Sequence, residues 1–316
     1  MRVVSEMKQL NSAERTALAI GFFDGVHLGH QAVLRELVRL AAGRHLTPCA
    51  LTFDVNPKTA PKPNFSFLTQ REEQERLLGE LGVEILYRPP FESLSGLSPE
   101  DTVRELLARR LRTALVVAGE DLHFGKDAAG DAGLLHRLGG PLGIETVQVP
   151  VVPYQGSPIS STRIRQELRR GRAEEACVML GRPFAFSAPV ADGAHLGRTM
   201  GFPTINQPIP AGLTLPAFGV YNTRVEMNGR LFRGVTNVGI KPTVGGHVPL
   251  AETNLLGVSG NYYGLEARLE LLHFVRPERE FASLTELAAQ IDADRRNAEA
   301  WFAASEAAQT EFFKKN

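Results

Sequence analysis

The chain has 316 residues, of which 43% are hydrophobic and 22% are charged. These values are ordinary for a globular protein, and the length predicts two domains. Lys plus Arg and Asp plus Glu both number 35, so no bulk charge draws the chain to nucleic acid or to an acidic membrane surface. We therefore expect small-molecule partners, with no nucleic acid and no membrane, and we leave a homo-oligomer open.

The N-terminal sequence and the two cysteines indicate where the chain works. No apolar run approaches the ~20 residues that a membrane span needs, and the first residues lack the apolar stretch of a signal peptide. Cys49 and Cys177 belong to no C-x-x-C pair, which argues against a disulfide framework and against a cysteine-based zinc site. We expect a chain that works in the reducing cytoplasm.

Residues 1–182 alternate short apolar runs with amphipathic stretches. Thr69 and Glu72 have the spacing of a capping box, and Ser98 followed by Pro99 is typical of a helix start. Strands that alternate with helices predict a parallel, Rossmann-like α/β sheet for this first domain. The sequence predicts strands over residues 17–20, 49–53, 84–87, 114–118 and 146–149, and helices over residues 31–42, 72–81, 99–111 and 163–170.

Residues 183–316 have a different pattern of apolar and polar residues. From about Phe184 to Phe274, short alternating runs are broken by Gly, Pro and Asn. The pair Asn228-Gly229 between two such runs is a strong hairpin signal. This second domain is therefore predicted to be a small antiparallel β-barrel. A C-terminal helix should begin just after Ser283, which has capping-box spacing with Glu286.

A first candidate site is the run Gly21–His30, GFFDGVHLGH, which follows the first predicted strand and opens the first helix. Ligands of parallel sheets bind at the carboxyl ends of strands, and a helix N-terminus there suits phosphate. His27 and His30 are three residues apart, so they share one helix face and could stabilise charge on an α-phosphate. A surface histidine pair is the alternative, but this position favours a nucleotide site. Further candidates in the run are Gly21, Phe22, Asp24 and Gly29.

Three hydroxyl residues follow the fifth predicted strand and start another helix. Ser160, Ser161 and Thr162 could be plain helix caps, but they fall on the same edge of the sheet as the histidines. Arg165, one turn further, could contact the phosphates that leave as pyrophosphate.

A second candidate site lies in the barrel sequence from Gly197 to Asn206. Thr204 and Asn206 are two residues apart, so in an extended segment they point to one side, with oxygen ligands that suit Mg²⁺. Gly197 and Gly201 leave room for phosphate. A plain Gly/Pro turn would have the same sequence pattern and is the alternative. Glu252 could take the proton of an alcohol that attacks the γ-phosphate; an isolated Glu is otherwise a solvated surface charge.

The motifs of the first half carry a family resemblance. His-x-Gly-His after Gly-Phe-Phe-Asp-Gly, with Ser-Ser-Thr-x-Ile-Arg later, resembles the adenylyltransferase half of bacterial bifunctional riboflavin kinase/FAD synthetases, which belong to the nucleotidylyltransferase superfamily. Asp121 in Gly119–Gly125 and Asn56 in Asp54–Pro57 match two further family stretches and are implied to bind substrate. The chain departs from the family at Asn56, where His is common, and at Ala128, where a basic residue is usual.

The second half resembles the riboflavin kinase module of the same family. The matching pieces are Gly-Arg-Thr-x-Gly-Phe-Pro-Thr-x-Asn, Gly-Val-Tyr, Asn-x-Gly-x-x-Pro-Thr and a following Glu. The resemblance implies that Thr204 and Asn206 bind Mg·nucleotide and that Glu252 is the base. It adds Thr199 and Asn237 as nucleotide-site residues and Arg276 as a residue near the flavin. Two departures follow the proposed base, namely Asn254 in place of His or Tyr and Gly257 in place of Asp.

The resemblance implies a two-reaction enzyme that phosphorylates riboflavin to FMN and adenylylates FMN to FAD, with ATP and Mg²⁺. Asn254 and Gly257 motivate one alternative, an FAD synthetase with an impaired kinase domain. A second alternative is a flavin or nucleotide sensor without turnover. A different nucleotidylyltransferase, such as one for pantetheine phosphate or a pyridine mononucleotide, would leave the barrel unexplained. Retention of all the proposed catalytic and metal-binding residues argues against the sensor: His27, His30, Arg165, Thr204, Asn206 and Glu252.

Overall fold

The computed structural model describes residues 1–6, 14–54, 65–192, 204–243, 246–258 and 260–315, with the side chains at 241–243, 246–247 and 306–315 excepted. The predicted site residues Asn56, Gly197, Thr199 and Gly201 lie outside the described residues. By its contacts the chain divides into two compact units, Met1–Arg163 with Met179–Gly181 and Ile164–Val178 with Arg182–Asn316. The boundary at residue 182 stays a prediction.

The first unit is built on a parallel sheet. In chain order its strands are β1 Arg2–Val4, β2 Thr16–Ile20, β3 Thr47–Leu51, β4 Ile85–Tyr87, β5 Thr113–Gly119, β6 His123–Phe124, β7 Gly130–Asp131, β8 Glu145–Val149, β9 Pro153–Tyr154 and β10 Ser157–Pro158. Six of them form a sheet in the order β1-β4-β3-β2-β5-β8, and every neighbouring pair is parallel. The five predicted strands are confirmed. The sequence did not predict β1, since three residues with one buried side chain are too short to show a period.

The helices before the barrel are α1 Leu28–Arg44, α2 Arg71–Glu80, α3 Glu92–Ser95, α4 Pro99–Asp101, α5 Ala132–Gly139, α6 Ser161–Arg169 and α7 Ala173–Leu180, and α4 continues as a π-helix over Thr102–Arg110. The predicted cap at Ser98 is confirmed, because its hydroxyl accepts from the Asp101 N–H. The predicted capping box at Thr69 is wrong. The N-cap of α2 is Gln70, and the Thr69 hydroxyl instead accepts a 2.7 Å hydrogen bond from the N–H of Gly25.

The strand order creates a crevice at the carboxyl edge of the sheet. From β2 the chain adds β3 and β4 on one side, then returns to place β5 and β8 on the other. Ligands of such sheets bind where the order reverses, which here is between β2 and β5. Both faces of these strands are buried in apolar clusters, so the functional groups are confined to the strand ends.

The second unit is an antiparallel sheet with a long helix. Its strands are β11 Phe184–Pro189, β12 Thr204–Pro208, β13 Gly219–Met227, β14 Arg230–Thr243, β15 Gly246–Leu255 and β16 Glu266–Pro277, and its last helix is α8 Leu284–Lys315. The sheet order is β11-β16-β13-β14-β15-β12, and a bridge between Ala191 and Asn206 links the two ends of that order. The predicted antiparallel barrel with a C-terminal helix is confirmed.

Local sequence signals account for the turn and the helix start of this unit. Asn228 and Gly229 have φ of 50° and 71°, as a tight hairpin turn between β13 and β14 requires. The Ser283 hydroxyl accepts from the N–H of Glu286 at 3.1 Å, which confirms the predicted cap. Helix α8 packs on the barrel through Ala298 and Phe302.

Candidate active sites

The turn between β2 and α1, residues 21–27, has an unusual backbone, and we call it the histidine turn. Phe23 and Val26 have φ of 50° and 38°, and left-handed values cost of order 1–3 kcal/mol for residues other than glycine. Gly25 has φ of +83°, and a Cβ there would lie 2.9 Å from Cδ1 of Leu68. Such strain persists only where surrounding contacts hold it, and it is concentrated at functional sites.

Two of the predicted binding residues hold this turn. The Asp24 carboxylate accepts hydrogen bonds from the N–H groups of Leu68 at 2.8 Å and Thr69 at 3.3 Å. The hydroxyl of Ser161 donates to the Asp24 carbonyl at 2.8 Å. These contacts join the ends of β2, α2 and α6 at one place. Contact of Asp24 and Ser161 with a ligand stays a prediction.

The two histidines lie together at the start of α1. His27 is the N-cap residue, 6% exposed, and its Nδ1 accepts from the N–H of His30 at 3.3 Å. The two rings stack with centroids 3.6 Å apart and planes 18° from parallel. A Cβ on Gly29 would lie 3.1 Å from the His27 ring, so glycine lets the ring fold over the first turn. The prediction that the two histidines share one face is confirmed. They lie at a helix start, where the first N–H groups have no partner within the helix.

The remaining hydroxyl residues begin α6. The Ser160 hydroxyl accepts from the N–H of Arg163 at 3.3 Å, which is the contact of a helix cap. Thr162 is exposed. Arg165 lies one turn along α6 and belongs by its contacts to the second unit. Phosphate binding by these residues stays a prediction.

Three predicted binding residues lie just beyond the ends of the neighbouring strands β2 and β5. Asp121 is exposed and follows β5, which pairs with β2, so it reaches the edge where the histidine turn lies. The Phe22 ring lies 5.6 Å from Phe65 and 6.0 Å from Phe67, centroid to centroid. Gly21 donates its N–H to the Leu51 carbonyl at 3.1 Å.

Sequence reasoning missed the side chains that bind the carbonyls of this turn. The Thr52 hydroxyl donates to the Phe22 carbonyl at 3.0 Å, and Gln74 donates to both Phe22 and Phe23. Arg88, whose side chain is 4% exposed, donates to Gln74. Burial lowers the pKa of Arg88, and the charge of Glu75 opposes that shift. Thr52 and Arg88 had a signal, because each directly follows a strand of the sheet, whereas Gln74 on α2 had none.

Strand register builds the second site. Glu252 on β15 pairs with Asn206 on β12 and with Asn237 on β14. Directly opposite residues of antiparallel strands project to one face with Cβ atoms roughly 4.5–5.5 Å apart. The structure therefore brings three predicted residues into one cross-strand row with the carboxylate in the middle. Thr204 pairs with Asn254 on the same face, two residues along β12.

The oxygen ligands of this row, together with Thr204, suit a hard cation. Within the described residues, no three His, Cys, Asp or Glu side chains converge as a metal site. Mg²⁺ takes one or two carboxylates and completes its shell with water and substrate phosphates. A threonine hydroxyl, amide oxygens and one carboxylate therefore fit Mg²⁺ that is bound together with a nucleotide.

Arg276 lies in the same row but further across the sheet. It pairs with Val220, which pairs with Asn237, so three strand steps separate Arg276 from Glu252. Its guanidinium donates to the Asp294 carboxylate of α8 at 2.7 and 3.2 Å, and Asp294 is only 5% exposed on its side chain. This ion pair anchors α8. A flavin contact by Arg276 stays a prediction.

A parallel α/β unit with stacked imidazoles at its crevice, followed by a barrel with a carboxylate among oxygen donors, is the architecture of a two-site nucleotide-dependent transferase. Family models agree: FAD synthetase matches residues 9–163 and riboflavin kinase matches residues 180–302. The bifunctional riboflavin kinase/FMN adenylyltransferase of Escherichia coli K12 is 35% identical over 96% of this chain and 98% of its own length. That of Bacillus subtilis 168 is 33% identical over 91% and 93%. The chain belongs to the family of bifunctional riboflavin kinase/FMN adenylyltransferases.

A solved structure has the same fold over nearly the whole chain. The crystal structure of a protein from Streptococcus pneumoniae, described as a macrolide-efflux protein, is 30% identical and covers 95% of this chain and 98% of its own, with a TM-score of 0.86. In the part of the chain that our structure describes, no helix combines the length and apolar character that a bilayer crossing requires.

Proposed function

We propose that the chain phosphorylates riboflavin to FMN in the barrel and adenylylates FMN to FAD in the α/β unit, with one ATP consumed at each step. The observation that carries the proposal is the cross-strand row. It places Glu252 between Asn206 and Asn237, in a chain that also has stacked histidines at a helix start. One polypeptide thus has separate groups for a γ-phosphate and for an α-phosphate.

In the kinase step, Glu252 takes the proton of the ribityl 5′-hydroxyl as its oxygen attacks the γ-phosphorus. The new P–O bond forms, the bond to the β-phosphate oxygen breaks, and ADP leaves with that electron pair. Mg²⁺, held by Thr204 and Asn206, would neutralise phosphate charge. We assign Gly197, Thr199, Gly201 and Asn237 to the nucleotide and Arg276 to the flavin side.

In the adenylyl step, an oxygen of the FMN phosphate attacks the α-phosphorus of a second ATP. The bond from the α-phosphorus to the bridging oxygen breaks, and pyrophosphate leaves. The attacking phosphate carries no proton that must be removed, so His27, His30 and Arg165 act by stabilising charge. We assign these further residues to ATP and FMN binding: Gly21, Phe22, Asp24, Gly29, Asn56, Asp121, Ser160, Ser161 and Thr162.

The direct test is a product assay. Purified protein with riboflavin and Mg·ATP should yield FMN and then FAD, and chelation of Mg²⁺ should stop both reactions. Absence of both products would contradict the proposal. Formation of FAD from added FMN, with riboflavin untouched, would identify an FAD synthetase with an impaired kinase. ATP binding without release of ADP or pyrophosphate would identify a sensor.

We also propose that the two activities divide at residue 182 and that the enzyme works in the cytoplasm. The cysteines support this location, because Cys49 and Cys177 are both free and free thiols are kept in reducing compartments. Separate expression of residues 1–182 and 183–316 tests the boundary. The first fragment should make FAD from FMN, and the second should phosphorylate riboflavin. Sedimentation of the full chain tests the homo-oligomer.

A further inference from the structure

We propose that Gln74 is a positioning residue for adenylyl transfer, and that Arg88 holds Gln74 in its working orientation. The inference rests on the proposed function of the α/β unit. Neither residue belongs to the motifs of the candidate site. Gln74 lies on α2, and Arg88 follows β4 at the carboxyl edge of the sheet.

One amide group of Gln74 binds two successive carbonyls of the histidine turn. Its Nε2 lies 3.0 Å from the carbonyl oxygen of Phe22 and 2.9 Å from that of Phe23. An amide nitrogen has two protons, one for each carbonyl. A side chain of the same shape with only acceptor atoms could make neither contact.

Arg88 decides which way the amide faces. Its Nη2 donates to Oε1 of Gln74 at 2.7 Å, and an arginine can only donate. The amide oxygen must therefore face Arg88, so the nitrogen faces the turn. Because the Arg88 side chain is buried and also lies 3.5 Å from the Glu75 carboxylate, the guanidinium is fixed on more than one side.

The two carbonyls lie where the turn is strained. Phe23 has a left-handed backbone, and its carbonyl also accepts the N–H of Val26 at 3.1 Å within the turn. Val26 is left-handed too and directly precedes His27, the N-cap of α1. The peptide that Gln74 holds thus sets the path of the chain into the helix start and the histidine stack. Among the described residues, the hydrogen bonds of the Gln74 amide go to the carbonyls of Phe22 and Phe23 and to Arg88, so Gln74 acts through the turn.

Gln74→Glu is the sharpest variant, since it keeps the shape and the acceptor for Arg88 and removes both donors. We expect at least a tenfold fall in kcat for FAD formation from FMN, counted per ATP-binding site of the α/β unit, with KM for ATP in that reaction changed less than threefold. Riboflavin phosphorylation by the same preparation should be unchanged. The control Gln148→Glu makes the same charge change at an exposed position of β8 and should keep both activities within twofold.

A double-mutant cycle tests the part of Arg88. Gln74→Met should lower kcat as Gln74→Glu does, Arg88→Met should lower it less, and the double variant should be no slower than Gln74→Met alone. If the two effects multiply, Arg88 acts independently of Gln74, and the proposal that Arg88 works by orienting Gln74 is overturned. If the unchanged protein makes no FAD, the proposed function fails. If it makes FAD and both Gln74 variants keep full kcat per ATP-binding site, only this inference fails.

Discussion

The histidine turn of the α/β unit and the cross-strand row of the barrel both place polar groups for phosphate chemistry, but different interactions fix their backbones. The turn is irregular, and its carbonyls and N–H groups are bound by the side chains of Thr52 after β3, Thr69 before α2, Gln74 in α2 and Ser161 in α6. The row lies on regular strands whose ladder bonds fix Asn206, Glu252 and Asn237 opposite one another.

This difference predicts where each site is sensitive to mutation. An irregular turn has no ladder to satisfy its backbone groups, so residues distant in sequence must do so. A row depends on register, and a slip of one residue would turn every side chain to the other face. The first site should therefore be weakened by many scattered substitutions. The second should respond to its own side chains and to the stability of the barrel.

The largest expected effect belongs to the carboxylate of the row. Glu252→Gln keeps the shape and removes the base, so riboflavin phosphorylation should fall by roughly 10²–10⁴-fold, the usual contribution of general base catalysis. FAD formation from added FMN should be unchanged. The control Glu226→Gln alters an exposed carboxylate on β13 and should leave both rates unaltered. Equal loss of both activities in Glu252→Gln would mean that the two sites are not separate.

The histidine stack should show the reverse pattern with a smaller effect. His30→Ala removes one charge-stabilising group, and loss of one such donor costs about 10²–10³-fold in kcat. FAD formation should fall accordingly, while FMN formation from riboflavin is spared. His136→Ala, at an exposed position of α5, is the matched control. If the His30→Ala enzyme makes FAD at the normal rate, the stacked histidines have no part in the reaction.

The third expected effect is on the stability of the barrel interior. The hydroxyl of Thr236 lies 2.7 Å from that of Thr223 and 2.7 Å from that of Thr253, and all three residues are buried. Thr236→Val leaves both neighbours without this partner, and a buried group left unsatisfied costs about 1–3 kcal/mol. Denaturant unfolding should show that loss, and riboflavin phosphorylation should become more heat-sensitive than FAD formation. Equal heat sensitivity of the two activities would contradict the prediction that Thr236→Val destabilises the barrel alone.

The sequence predicted what local patterns encode. His27 and His30, the Thr204–Asn206 pair and the Asn228-Gly229 hairpin each lie within a few residues, so spacing alone identifies them. Glu252 was a candidate in the sequence, and the resemblance assigned it the role of base. Its position between Asn206 and Asn237 follows from strand register, which single-strand patterns do not give. Gln74 could not have been predicted, because a glutamine on a polar helix face looks like a solvent-exposed residue. Arg88 was missed although it directly follows β4, because an arginine is usually taken for an exposed surface charge. Thr69 shows the opposite error, since a contact with Gly25 replaced the local cap.

The smallest expected effect concerns a threonine of the α/β unit. Thr146 on β8 has a buried hydroxyl oxygen with no hydrogen-bond partner among the described residues, whereas the Thr236 hydroxyl has two. Thr146→Val replaces an unsatisfied polar atom by a methyl group of similar size, which should be neutral or slightly stabilising. The free energy of unfolding should stay within about 0.5 kcal/mol of the unchanged protein or rise. A loss as large as that of Thr236→Val would show that Thr146 has a partner such as a buried water, because the two substitutions are chemically identical and differ only in the bonds they remove.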